Sequence, residues 1–265
     1  MQSDTKSNGP KWTRMPSWLL VLLTFNLSFL VIHSCGLDVE DPTSPSPPVW
    51  VKKSLPEEWP ERGIDAHESG GIYLAWYPNS GSENIQEYHV YRAEHNEYDN
   101  AVSEFELIST QPASGHESQS YRDASAQPNI KLLYYLVAQD NAENTGATSD
   151  TLFYTLLRAV SAESMVPNSI DETLSSNREL RWTYNYNVAM ENYVLTLLHG
   201  ADRELVLRCE VQPSDYISGY ESFIISDTIS VLPGVPYYWR VDLSAKMVGG
   251  VESVGSESEW AVFQR

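Results

Sequence analysis

Trp76 and Trp182 lie 106 positions apart, Tyr88 and Tyr193 lie 105 apart, and Tyr134 and Trp239 lie 105 apart. Each pair has matching surroundings: "IYLAWYP" is echoed by "RELRWTY", "QEYHVYRA" by "ENYVLTLL", and "LLYYLVAQD" by "YYWRVDLSA". Three landmarks at one spacing mean that one structural unit occurs twice, in tandem. Within each copy the apolar residues come in short runs of β-branched and aromatic residues, punctuated by turn-rich stretches such as "NSGSEN" and "NAENTG". No long amphipathic helix interrupts them. Seven or so such runs per copy indicate an antiparallel β-sandwich. The expected domains are 48–157 and 158–265. No Gly/Ser-rich linker lies near Leu157, so the last strand of the first is expected to run almost directly into the first strand of the second.

The same landmarks resemble those of bacterial fibronectin type III domains, over essentially all of residues 48–265. The resemblance implies an all-β chain of two tandem immunoglobulin-like sandwiches. It makes Trp76 and Trp182 the plugs between the sheets, with Tyr88-His89-Val90-Tyr91-Arg92 and Tyr193-Val194-Leu195 on the following strand. It also implies a tyrosine corner in "VLPGVPYYWRV", where Leu232, Gly234 and Tyr237 fit the pattern and Trp239 joins the core. The first domain departs at "QPNIKLLYYLVAQD": Leu132 stands where the corner tyrosine would be, so that hydrogen bond is expected to be missing. By spacing from Trp76, Tyr134 is expected to point inward and Tyr135 outward. In the last strand, "SESEWAVFQR", Trp260 and Phe263 are expected in the core.

Ahead of the domains, Lys6, Lys11 and Arg14 precede an apolar run from Ser17 to Ser34, the charged and apolar regions of a signal peptide over residues 1–34. The run is shorter than the roughly 20 predominantly apolar residues of a spanning helix. It ends in Ile32-His33-Ser34-Cys35, which resembles the lipobox of bacterial lipoproteins, with His33 bulkier than that pattern usually has. The resemblance implies that Cys35 becomes the new N-terminus, carrying a diacylglycerol thioether and an N-acyl chain such as palmitate. Two or more chains anchor stably where one does not. The partner implied is thus the lipid bilayer, and the location the cell envelope. A plain secretory signal, or an uncleaved signal anchor, are the alternatives. Residues 35–47, with Asp38, Glu40 and Asp41 and four prolines up to Pro48, read as a stiff acidic linker. Such an acidic stretch also resembles a signal for display on the outer face of the outer membrane.

The chain holds 17 Lys and Arg against 36 Asp and Glu, for a formal charge of −19. Loss of residues 1–34 removes three of the basic residues and one acid, making it more negative still. Such a surface repels phosphates, which argues against nucleic-acid binding. No His-x-x-x-His, Gly-x-Ser-x-Gly or phosphate-cradling glycine loop is present. Neither a catalytic constellation nor a cofactor or metal site is expected, and His89 reads as a strand histidine. Asp140, Asn141 and Glu143 offer oxygens to calcium, but a turn rich in Asp and Asn needs them for backbone reasons. Cys209, in the alternating "ELVLRCEV", reads as a half-buried free thiol. The candidate ligand-binding residues are Trp59, Tyr184 and Tyr186, as aromatic contacts for a protein or a glycan. The competing reading of the two tyrosines is the end of a half-buried strand. The expected role is non-catalytic: binding, adhesion or spacing.

Overall fold

A computed structural model describes residues 43–52, 63–96, 98–115, 117–184, 192–214, 219–244 and 254–265. Cys35, Trp59 and Tyr186 lie outside these residues. The described chain is almost entirely β-structure, and the strands within each sandwich pair antiparallel.

The first module faces one sheet against another. In the first sheet β3 (Ile72–Tyr77) pairs with β1 (Val49–Trp50) and β2 (Ile64–Ala66) on one edge and with β7 (Gln119–Asp123) on the other. The second sheet runs β6 (Glu106–Pro112), β4 (Ile85–Asn96), β8 (Lys131–Asp140), β9 (Leu152–Leu156), with the short β5 (Ala101–Val102) also on β4. The second module repeats this order. β10 (Glu179–Trp182) pairs with β13 (Glu221–Ile224) opposite a sheet of β12 (Glu204–Val211), β11 (Asn192–His199) and β14 (Pro236–Ser244). Its last strand is split in two, β15 (Val254–Glu257) and β16 (Ala261–Gln264), both on β14. The first strand expected at the start of this module is reduced to two isolated bridges, Val166 to Arg181 and, in parallel, Thr173 to Gln264.

Each module has its own core. Trp76, Tyr88, Leu132, Tyr134, Leu136 and Tyr154 gather in one, and Trp182, Tyr193, Tyr237, Trp239, Val241 and Phe263 in the other. The tryptophan and the tyrosine of the next strand meet edge to face in both, Trp76 to Tyr88 at 5.6 Å and Trp182 to Tyr193 at 5.3 Å, a favoured aromatic geometry. Tyr134 is fully buried and Tyr135 only partly, since successive side chains on a strand take opposite faces.

The repeat extends to hydrogen bonds that the sequence landmarks do not mark. Asn129 and Gly234 both take the left-handed conformation, at φ 65° and 74°. Each donates its amide to the end of its own module's last strand, at Leu156 and Arg265. A buried serine lies just ahead of β9 and another between β15 and β16. Ser149 Oγ accepts the Leu136 amide at 2.9 Å and donates to the Asp150 carbonyl. Ser258 Oγ accepts the Val241 amide at 3.0 Å and donates to the Glu259 carbonyl. Two residues placed together by sequence spacing fold as a tyrosine corner: the Tyr237 hydroxyl accepts the Leu232 amide at 2.8 Å. Leu132, buried in the equivalent place, has no hydroxyl to offer.

The segment ahead of residue 48 is docked rather than a free linker to its end. Pro45 is buried, the Ser46 amide and hydroxyl both donate to the Glu83 carboxylate, and Asn79 donates to the Ser46 carbonyl. Gly146 permits this approach, because a Cβ there would lie 2.5 Å from the Pro45 carbonyl oxygen.

Candidate functional site

A sandwich buries one face of each sheet and exposes the other, so strands normally alternate apolar with polar. β8 does not alternate. Leu132, Tyr134, Leu136 and Ala138 enter the core, and the residues between them, Leu133, Tyr135 and Val137, are apolar as well. On β4 the inward Tyr88 and Val90 alternate with the outward His89, Tyr91 and Ala93. Register then sets the outward residues side by side: Leu107 opposite Tyr91, Tyr91 opposite Tyr135, Ala93 opposite Leu133, and Leu133 opposite Phe153.

The result is a contiguous apolar surface on the outer face of the first module. Tyr91 and Tyr135 stack at 4.8 Å, and Phe105 lies against Tyr135 at 4.6 Å. Leu107 is 51% exposed and Phe153 38%. The Lys131 ammonium sits 4.5 Å above the Phe153 ring, a cation–π contact. His89 flanks the face and is held by Glu87 at 2.8 Å. Burial, then the neighbouring Tyr91, pushes the Tyr135 hydroxyl up, so it stays a neutral donor. This exposed face is apolar in a chain with 36 acidic residues.

The equivalent face of the second module is filled instead by long charged side chains. Arg240, whose side chain is 1% exposed, reaches Glu257 at 2.9 Å and Asp242 at 3.2 Å. Arg208 donates to the Thr196 hydroxyl at 3.2 Å. The Trp260 ring covers the Arg240 guanidinium at 5.0 Å. Trp260 is therefore not in the core with Phe263 as expected. Its ring is partly exposed and its indole N–H donates to Glu68 at 2.7 Å. The turn after β2 that carries Glu68 belongs to the first module, so this group lies at the seam between the two. An open cleft of about 650 Å³ beside it is lined by Glu68, Val160, Glu257, Glu259 and Trp260.

The other sequence candidates distribute as follows. Tyr184 is not an exposed contact: it packs into the second core, because it continues the alternation of β10, with Leu180 and Trp182 on the same face. Trp76, Trp182, Tyr237 and Trp239 are buried. Trp59 and Tyr186 lie outside the described residues. Asp140 spends its carboxylate on its own turn, accepting from the Asn144 side chain at 2.9 Å and from the Ala142 and Asn144 amides. Those bonds, led by the one from the Asn144 side chain, hold its carboxyl below the ordinary aspartate value. Burial pushes the Cys209 thiol up, away from the reactive thiolate. Among the described residues no group of three His, Cys, Asp or Glu side chains is placed to hold a metal ion.

Sequence reasoning missed the face around Tyr91 and Tyr135. Its signal was available in the unbroken apolar run "LLYYLVA", which a strand with one wet face does not need.

No family model matches the sequence, and no curated protein does. Among solved structures, the FN1–FN3 domains of chicken CNTN1 align at 16% identity over 84% of this chain and 69% of that one, with a TM-score of 0.33. The fold class stands on the chain's own geometry: paired sheets, a tryptophan in each core and one tyrosine corner define fibronectin type III-like β-sandwiches of the immunoglobulin-like kind.

Proposed function

We propose that this chain is a non-catalytic lipoprotein of the cell envelope, tethered through acylated Cys35, whose two fibronectin type III-like modules, 48–157 and 158–265, hold a protein-docking face away from the bilayer. The outer membrane, with display at the surface, is the location this reading favours. The observation that carries it is the apolar face of the first module. Residues such as Tyr91, Tyr135, Phe105, Leu107 and Phe153 give a large contact area at low cost in conformational entropy, the composition that anchors protein interfaces.

The packing of the rings favours a protein over a glycan. A sugar stacks on an open aromatic face, whereas Tyr91 and Tyr135 lie face to face with each other and Phe105 covers part of Tyr135. What the surface offers is ring edges, hydroxyls and the Leu107 and Phe153 side chains, which suit the apolar side chains of another polypeptide.

The test places a photoreactive side chain at Leu107 in cells that make the full chain. Irradiation is expected to give a discrete adduct with one protein, and the same group at Leu205, exposed on the second module, is expected to give none of it. Equal labelling from both positions, or no adduct from Leu107, would remove the docking face from the account.

A further inference from the structure

Three features cross from one module to the other, and they do so at different levels of structure. The chain leaves the first core at Leu156 and enters the second at Val160, and Leu157 between them is itself buried. No free linker exists there. Next to this crossing β15 pairs with β9 in parallel, Val254 with Thr155 and Gly255 with Leu156, and the Leu157 amide donates to the Gly255 carbonyl at 2.8 Å. Ten strands among the described residues thereby join into one sheet that runs through both modules.

The third feature is chemical. Arg240 is a buried cation of the second module, and burying a cation is tolerated only when carboxylates surround it. Two of its partners, Glu257 and Asp242, come from its own module. Another, Glu68, reaches it from the first module at 3.2 Å and accepts the Trp260 indole N–H with the same oxygen. One carboxylate oxygen of the first module thus holds both the guanidinium and the ring that covers it. Glu257 and Asp242 already neutralise Arg240 within its own module, so the bonds from Glu68 to Arg240 and Trp260 are additional ones that exist only while the two modules keep this attitude.

We infer that Glu68, Arg240 and Trp260 form an interlock that fixes the angle between the two modules, so that they reorient and unfold as one body. The docking face of the first module is then carried at a fixed attitude to the second. This inference rests on the seam alone and holds whether or not Cys35 is acylated or the docking face has a partner.

The experiment measures the distance distribution between spin labels placed at Leu107 and Leu205, both exposed, in the full chain with Cys35 and Cys209 replaced by serine. The expected result is one narrow distribution, which Glu68→Ala converts to a broad one. Glu68 sits in an exposed turn, and the folding of the variant is checked by the fluorescence of the buried tryptophans. Glu259→Ala serves as the control, since Glu259 lines the same cleft beside Trp260 without holding Arg240, and it is expected to leave the distribution narrow. Chemical denaturation read from reporters in each module is expected to give coincident transitions in the natural chain and separated ones in Glu68→Ala. A broad distribution in the natural chain, or a Glu68→Ala distribution as narrow as that of the control, would overturn the interlock.

Discussion

Tyr237 and Leu132 occupy equivalent places in the two modules, and only one of them carries a hydroxyl. Tyr237→Phe removes the acceptor of the Leu232 amide and is expected to lower the stability of the folded chain by about 1 kcal/mol, read as an earlier denaturation midpoint. An unchanged midpoint would show that the corner bond contributes nothing. The first module concentrates its buried polar chemistry elsewhere, at Asp123, which is 1% exposed. Burial alone would raise its carboxyl, but hydrogen bonds from Ser125, Arg92 and Tyr134 and the Arg92 charge outweigh burial and hold it below the ordinary aspartate value. The carboxylate therefore stabilises the folded state at neutral pH. That contribution is lost as pH falls below the ordinary aspartate value of about 3.9 and through the lower folded one. Acid titration of unfolding is expected to show this loss in the natural chain and not in Asp123→Asn, which lacks the group. A pH dependence that survives the substitution unchanged would assign it to other carboxyls.

The elements show where alternation in sequence carries information and where it fails. β10 and β4 alternate, and their inward residues were legible from the spacing that equates Trp76 with Trp182 and Tyr88 with Tyr193. β8 and β11 are apolar on both faces, so period alone cannot say what lies on the outside. The answer differs between modules because the neighbours differ: β6 brings Leu107 beside β4 and β9 brings Phe153 beside β8, while β12 and β14 bring Arg208 and Arg240 beside β11. The bonds of Ser149 and Ser258 were also hidden, since one serine among many carries no sign that its hydroxyl will accept a neighbouring strand's amide. Ser149→Ala and Ser258→Ala each leave a buried amide, of Leu136 and Val241, without this acceptor. Each is expected to cost about 1–3 kcal/mol, measured by chemical denaturation. Two near-neutral substitutions would mean that the strands close the gap with their own carbonyls.

At the scale of the whole molecule, the repeat was legible because core aromatics at one spacing survive where surface residues do not. The seam was not legible. Glu68 and Arg240 are 172 positions apart, and nothing local distinguishes either from an ordinary surface charge. The resemblance of the last strand puts Trp260 in the core, yet its indole N–H donates to Glu68 across the module boundary. The tether and the two modules make one claim about the whole chain: a body of fused sandwiches held to a membrane by its first mature residue. Intact-mass measurement of the protein extracted from membranes in detergent tests that claim most directly. The mass expected is that of a chain beginning at Cys35 with three acyl chains and a glycerol added, replaced in Cys35→Ser by a protein that leaves the membrane fraction. An unmodified chain beginning at any other residue would contradict it.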